Sequence, residues 1–304
     1  MTYFPSKEPE CKVNCPRQID IEIIPRSVDL GGFQVSRVLP SELKRTVGPF
    51  VFWDQAGPGE FLTGKGLDVR PHPHICLSTL TYLLQGRLEH RDTLGSHQII
   101  VPGDVNLMTA GHGIAHSERS PKEDRLHDQD FFGIQCWLAL PLSKEEMDPT
   151  FKHHDKSHLP YIDDKDFHLR LIAGEWMGMK SPVNTQNDAL FVECKLKANA
   201  NSFIPATVEE RAIHILSGEI KIDNVNYGDT RMLILKPTQE ISITATTDAH
   251  FIILGGTPLE QPRYLWWNFV ASSKERIEQA KQDWKAGKFG KIPGDDKEYI
   301  PLPE

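Results

Sequence analysis

Apolar and polar residues alternate with a period of two along much of the chain. Ile19, Ile21 and Ile23 alternate with Asp20 and Glu22 before Pro25 closes the run. Gly31 to Val38 is a second such run, and Val47 to Asp54 a third. Successive strand side chains point to opposite faces, so this pattern predicts half-buried β-strands. Leu77 to Glu89 is β-branched and apolar, with a break at Gln85-Gly86. Glu89 to Asp92 and Leu94-Gly95-Ser96 read as a polar hairpin. Ile99 to Val101 leads into the turn Pro102-Gly103-Asp104. Val105 to Thr109, Ile114 to Glu118 and Phe131 to Leu140 are further strands, with Ala110-Gly111-His112-Gly113 as a tight turn. The Gly- and Pro-rich stretch from Gly57 to Gly66 reads as a long surface loop of the kind that borders active sites. Short strands at regular spacing indicate an all-β sandwich or barrel.

The pattern breaks from Pro141 to Pro160, a polar stretch holding His153, His154 and His158. It reads as a solvated boundary. Beyond it the chain repeats itself faintly: Ser217-Gly218-Glu219-Ile220 echoes Gln85-Gly86-Arg87-Leu88, and Gly228-Asp229 echoes Gly103-Asp104. The expected organisation is an arm over 1–18, a first barrel over 19–145, a linker over 146–160 and a second barrel over 161–304. A short helix at 272–287 belongs to the last part. Ser272 or Ser273 caps it, Ser272-x-x-Glu275 fits a capping box, and Gly287 ends it. Ile277, Ala280 and Trp284 share one face. The tail from Ile292, broken by three prolines, reads as an extended strap.

Composition changes this picture little. With 304 residues there is room for two domains, and 39% hydrophobic and 25% charged residues fit a globular chain. The formal charge is −8 and the basic residues are scattered, so no direct nucleic-acid footprint is expected. No apolar run reaches the roughly eighteen residues of a membrane span. Met1 to Arg17 has no apolar core and does not read as a signal peptide. Five cysteines, an odd number, suit a reducing, cytoplasmic setting, with Cys11 and Cys15 as exposed thiols.

Candidate chemistry lies between Val69 and Arg119. His72-Pro73-His74 and His116-Ser117-Glu118 each place two potential ligands two residues apart, on one face of a strand. If the two faces meet, three imidazoles and a carboxylate converge. That set suits one divalent metal such as Fe, Mn, Ni, Cu, Co or Zn and leaves positions free for other ligands. Without a thiolate, a closed structural zinc site is not expected. Ligand histidines must be neutral, so metal affinity is expected to fall below about pH 6.5. In the second half, the repeat spacing puts Ile204, Ala206, Ile241 and Ile243 at the corresponding positions, where no metal can bind.

These residues also carry a family resemblance. His72-Pro73-His74, Tyr82-Leu83-Leu84-Gln85-Gly86, Glu89-His90-Arg91-Asp92, Pro102-Gly103-Asp104-Val105, Met108-Thr109-Ala110-Gly111 and His116-Ser117-Glu118 resemble pirin, a bicupin. Ser217-Gly218-Glu219 and Gly255-Gly256-Thr257-Pro258-Leu259 extend the match into the second half. The resemblance implies an all-β fold of two tandem cupin (jelly-roll) barrels. It implies one metal, usually Fe(II), on His72, His74, His116 and Glu118. It also implies either oxygen-dependent cleavage of quercetin or transcriptional co-regulation.

The departures are specific. Where much of the family has Arg-Gly-Phe-Glu-Thr after the His-Pro-His, this chain has Ile75-Cys76-Leu77-Ser78-Thr79, so Ser78 replaces a carboxylate. The family's Ala-Gly-Arg-Gly is Ala110-Gly111-His112-Gly113.

The enzyme reading is a dioxygenase acting with O2 on a flavonol-like substrate that chelates the metal. Glu118 is the nearest base, and His112 a pocket group. Phe52, Met108, Phe132 and Trp137 are candidate walls. The alternative is a metal- or redox-dependent regulator that binds a protein partner such as a transcription factor.

Overall fold

The computed structural model describes residues 10–13, 18–29 and 33–304, with only the backbone for 10–13. Cys15 and most of the expected arm lie outside these residues. The chain is nearly all β, and each half builds one large and one small antiparallel sheet. In the first half the large sheet runs Thr150–His154, Val105–Thr109, Leu77–Gln85, Gln129–Ala139, Phe50–Phe61, Gln34–Leu39, Arg26–Asp29. The small sheet runs Asp68–His74, Ile114–Arg119, Leu88–Asp92, His97–Ile100. The second half repeats this. Its small sheet is Asn201–Ile204, Ile241–Ala245, Ile220–Ile222, Val225–Tyr227. Its large sheet centres on Arg231–Leu235, Glu210–Ser217, Ala249–Gly256 and Ala189–Leu196. These are two cupin barrels in tandem.

Two segments lie elsewhere than their place in the chain suggests. Strand Ile19–Ile24, expected in the first barrel, pairs with Arg231–Leu235 and extends the second. The expected linker contains strand Thr150–His154, which pairs with Val105–Thr109 and completes the first barrel. Each is recruited because it satisfies the open edge of a large sheet, an edge that local patterning cannot reveal. The expected loop from Gly57 is also strand as far as Phe61, held by Gln129–Phe131.

Two apolar bodies hold the halves. Aliphatic side chains including Leu171, Val192, Ile204, Ile213, Ile241 and Ile253 fill the second barrel. Trp53, Leu80 and Tyr82 of the first half pack with Phe191, Ile252 and Leu254 of the second between the large sheets. Trp53 Nε1 donates to His214 Nδ1 at 2.9 Å across this contact, and the Tyr82 hydroxyl donates to Glu193.

The end of the chain returns to the first barrel. Hairpin Tyr264–Trp266 and Phe269–Ala271 lays Phe269 beside Ile75. Helix Lys274–Lys285 buries Ile277 and Ala280 against it. Its cap is Ser273, which accepts from Arg276 N. Ser272 instead donates to Glu145, so the Ser272–Glu275 capping box does not form. The tail runs back along the ligand strand, where Ile300 N donates to Pro71 O at 2.8 Å. Among the described residues no helix is long and apolar enough to cross a membrane.

Candidate metal centre

The two ligand strands are direct neighbours, with His72 opposite His116 and His74 opposite Ile114. One ring nitrogen from each of His72, His74 and His116 lies within 4.8 Å of the others. All three side chains are buried. Burial drives their pKa values down, to about 3 for His74 and well below the ordinary range for His72 and His116. They are therefore neutral at physiological pH, as ligation requires.

The hydrogen bonds assign the ring protons. His72 Nδ1 lies 2.8 Å from Arg70 O, and His74 Nδ1 lies 3.0 Å from Asn268 O. A carbonyl only accepts, so both Nδ1 atoms carry the proton and both Nε2 atoms are bare. His116 Nδ1 faces His90 Nδ1 at 3.4 Å, while His116 Nε2 is buried with no hydrogen-bond partner. A buried polar atom left unpartnered costs about 1–3 kcal/mol. A metal ion removes that cost by taking the lone pair, and the donor set fits one.

Glu118 does not join the three histidines. The ladder slips between His116 and Glu118, because the facing strand spends one more residue between His72 and Val69. Pro71 stands in that interval and has no N–H to donate to the ladder. Both Glu118 carboxylate oxygens accept from Gln135 Nε2, at 2.7 and 2.8 Å, and Thr81 Oγ1 approaches at 3.4 Å. Burial pushes the Glu118 carboxyl up, against the pull of Gln135 and Thr81. The equal spacing of the two sequence pairs did not anticipate this slip.

Ser78 is tied to Thr109 Oγ1 at 2.9 Å in the core. His112 was expected at the pocket, but its side chain is exposed and faces Asp148 at 3.6 Å. The turn before it needs glycine: a Cβ on Gly111, at φ +51°, would sit 1.9 Å from Met147 O. Phe52, Met108, Phe132 and Trp137 are core residues, and Trp137 lies with its ring 5.0 Å from that of His74. A cavity of about 50 Å³ beside Glu118 and Gln135 is walled instead by Phe33, Leu67, Leu88 and Phe131. A larger cleft of about 1270 Å³, near Trp176 and Asn184, is lined mostly by the second half, and among the described residues it holds no such cluster of donors.

Sequence reading missed His90 and Asp92. It placed them in a polar hairpin, yet both are buried and sit opposite Glu118 and His116. Their two-residue spacing on a strand was the available signal, the same one that marked His72 and His74.

A bicupin with a buried three-histidine cluster in its first barrel is thus defined by fold and site together. Residues 32–138 match the Pirin family and residues 191–290 the Pirin C-terminal cupin domain. A pirin-like protein of Caulobacter vibrioides is 46% identical over 290 residues, covering 94% of this chain and 100% of that protein. Human pirin is 27% identical over 283 residues, covering 90% and 94%. The crystal structure of a quercetin 2,3-dioxygenase from Acinetobacter baumannii superposes with a TM-score of 0.86 at 35% identity, covering 93% and 94%. This chain belongs to the pirin family.

Proposed function

We propose that this protein is a metal-dependent dioxygenase that acts with O2 on a flavonol-like, quercetin-type substrate. Its metal is Fe(II), held by His72, His74, His116 and Glu118. The observation that carries the reading is the proton pattern. His72 and His74 have Nδ1 tied to carbonyls, and Nε2 of His116 has no protein partner. The kinship with a quercetin 2,3-dioxygenase at 35% identity supports the substrate class. A bound divalent metal supplies Lewis acidity, lowering the pKa of a coordinated hydroxyl, and a template for two reactants.

The chain's own groups do the rest. Glu118 accepts the substrate hydroxyl proton on a carboxylate oxygen, and burial has already raised its affinity for that proton. Gln135 fixes the plane of the carboxylate. To ligate, Glu118 turns one oxygen away from Gln135. Trp137 packs on His74 and helps to keep water from the histidines. The cavity beside Glu118 is small against the few hundred Å³ of an ordinary ligand pocket. Substrate entry therefore requires the Phe33, Leu67 and Phe131 walls to shift. Three buried free thiols, Cys76, Cys136 and Cys194, support the cytoplasm as the site of action.

The test is oxygen uptake with quercetin by Fe(II)-loaded protein, compared with His74→Ala and Glu118→Ala. Saturable uptake that drops by about a hundredfold or more in both variants is expected. Equal rates in wild type and variants would sink the reading. One equivalent of bound metal without turnover would point to the regulator.

A further inference from the structure

The three ligand imidazoles are not held alike. Backbone carbonyls hold His72 and His74, and a carbonyl admits one proton arrangement only. The partner of His116 is another imidazole, and an imidazole nitrogen can donate or accept. Which nitrogen of His116 is bare therefore depends on His90.

His90 is itself constrained. Its Nε2 lies 3.1 Å from Asp92 Oδ2. Asp92 is fully buried, and its Oδ1 accepts from Leu94 N at 2.9 Å and Ser96 N at 3.0 Å. Two backbone N–H groups on one oxygen favour the carboxylate form of Asp92. A carboxylate can only accept, so His90 Nε2 carries a proton, and with a single proton on the ring His90 Nδ1 is bare. A bare Nδ1 requires His116 to donate from its own Nδ1. The proton of His116 is then spent, and its Nε2 is the free nitrogen, the same atom that has no partner in the protein. The opposite tautomer would set two lone pairs face to face at 3.4 Å. The His90 ring is also fixed in plane, stacked on Phe151 with centroids 4.3 Å apart at 13°.

We infer that His90 and Asp92 are positioning residues of the metal centre, which together hold His116 with Nε2 turned free toward the metal. Phe151 of the edge strand Thr150–His154 steadies this relay. The inference rests on the metal reading above only for its purpose; the tautomer itself is a property of the metal-free protein.

Two measurements on the full chain separate the two. In the first, ring 15N shifts of His116 are recorded without metal. Wild type is expected to show Nδ1 protonated, and His90→Phe a mixture with Nε2 protonated. In the second, Co(II) alone is titrated into the apo protein and followed by its visible absorption. His90→Phe is expected to weaken binding about 10–100-fold, the usual effect of losing a partner behind a ligand histidine. His90→Gln should recover much of this, since its amide oxygen can accept from His116 and its NH2 can donate to Asp92. A collapse of packing would show as equal losses in Phe and Gln variants, and that result overturns the inference. So does a His90→Phe protein that binds within about twofold of wild type, or one whose His116 keeps the wild-type shifts. Failure of wild type to take up Co(II) would instead remove the metal reading, while the 15N shifts would still decide the relay.

Discussion

The two barrels share one plan and spend it differently. In each, a four-stranded small sheet has the same strand order, and the first two strands pair at equivalent points. His72 faces His116 in the first barrel, and Ile204 faces Ile241 in the second. Ile241 and Ile243 are buried in an aliphatic core, whereas His116 and Glu118 are buried among other polar groups. The barrel therefore needs no polar interior to fold. Imidazoles and a carboxylate inside the first barrel cost desolvation that isoleucines do not, so their presence there points to a role other than stability.

Exchanging the two roles is the strongest way to break this comparison. Ile241→Ala is expected to destabilise the protein by about 2–5 kcal/mol while leaving metal content unchanged. His116→Ala is expected to abolish metal binding by elemental analysis. Loss of metal in the Ile241 variant at a temperature where it remains folded would show that the barrels are not independent in function.

Acid sharpens the comparison, because each barrel holds a buried histidine shifted to about 3, His74 in the first and His214 in the second. An unfolded histidine titrates near 6.5. Between those values the unfolded chain binds protons that the folded chain refuses. Stability thus falls as pH drops from about 6.5 toward 3, by at most about 1.4 kcal/mol per pH unit for each such histidine. Denaturant unfolding of His214→Gln, which keeps an acceptor for Trp53, should show a shallower slope. An unchanged slope would mean that His214 is not neutral in the fold. The same downward shift revises the expectation from sequence that metal affinity declines below about pH 6.5. In the folded protein the ligand nitrogens stay proton-free well below that, so occupancy should persist into mild acid.

A smaller contrast concerns two buried cysteines. Cys76 of the first barrel adopts φ +56°, in the left-handed region that favours glycine. Cys194 of the second lies in an ordinary strand. Relief of about 1–2 kcal/mol of backbone strain should offset the lost burial in Cys76→Gly, leaving stability within about 1 kcal/mol of wild type. Cys194→Gly has no strain to relieve and should cost distinctly more. Equal losses in thermal unfolding would remove the strain argument.

The sequence by itself determined what repeats locally. Period-two patterning marked Ile19–Ile24 as a strand, because alternation is a property of neighbouring residues, and Val105–Thr109 was legible as a strand between two turns. His72, His74 and His116 were legible for the same reason, and so was the isoleucine filling of the second barrel. Tertiary structure decided everything that depends on which edges meet. It carried Ile19–Ile24 into the far barrel, and it made Thr150–His154 a strand that brings Phe151 onto His90. It also slipped the ladder at Pro71 so that Glu118 rests on Gln135. Asn268, almost two hundred residues away in the chain, supplies the carbonyl that fixes the proton of His74. Local pattern chooses which face a side chain takes, but the partner across that face is chosen by long-range pairing, whose free energy lies in sheet edges and buried contacts rather than in neighbouring residues.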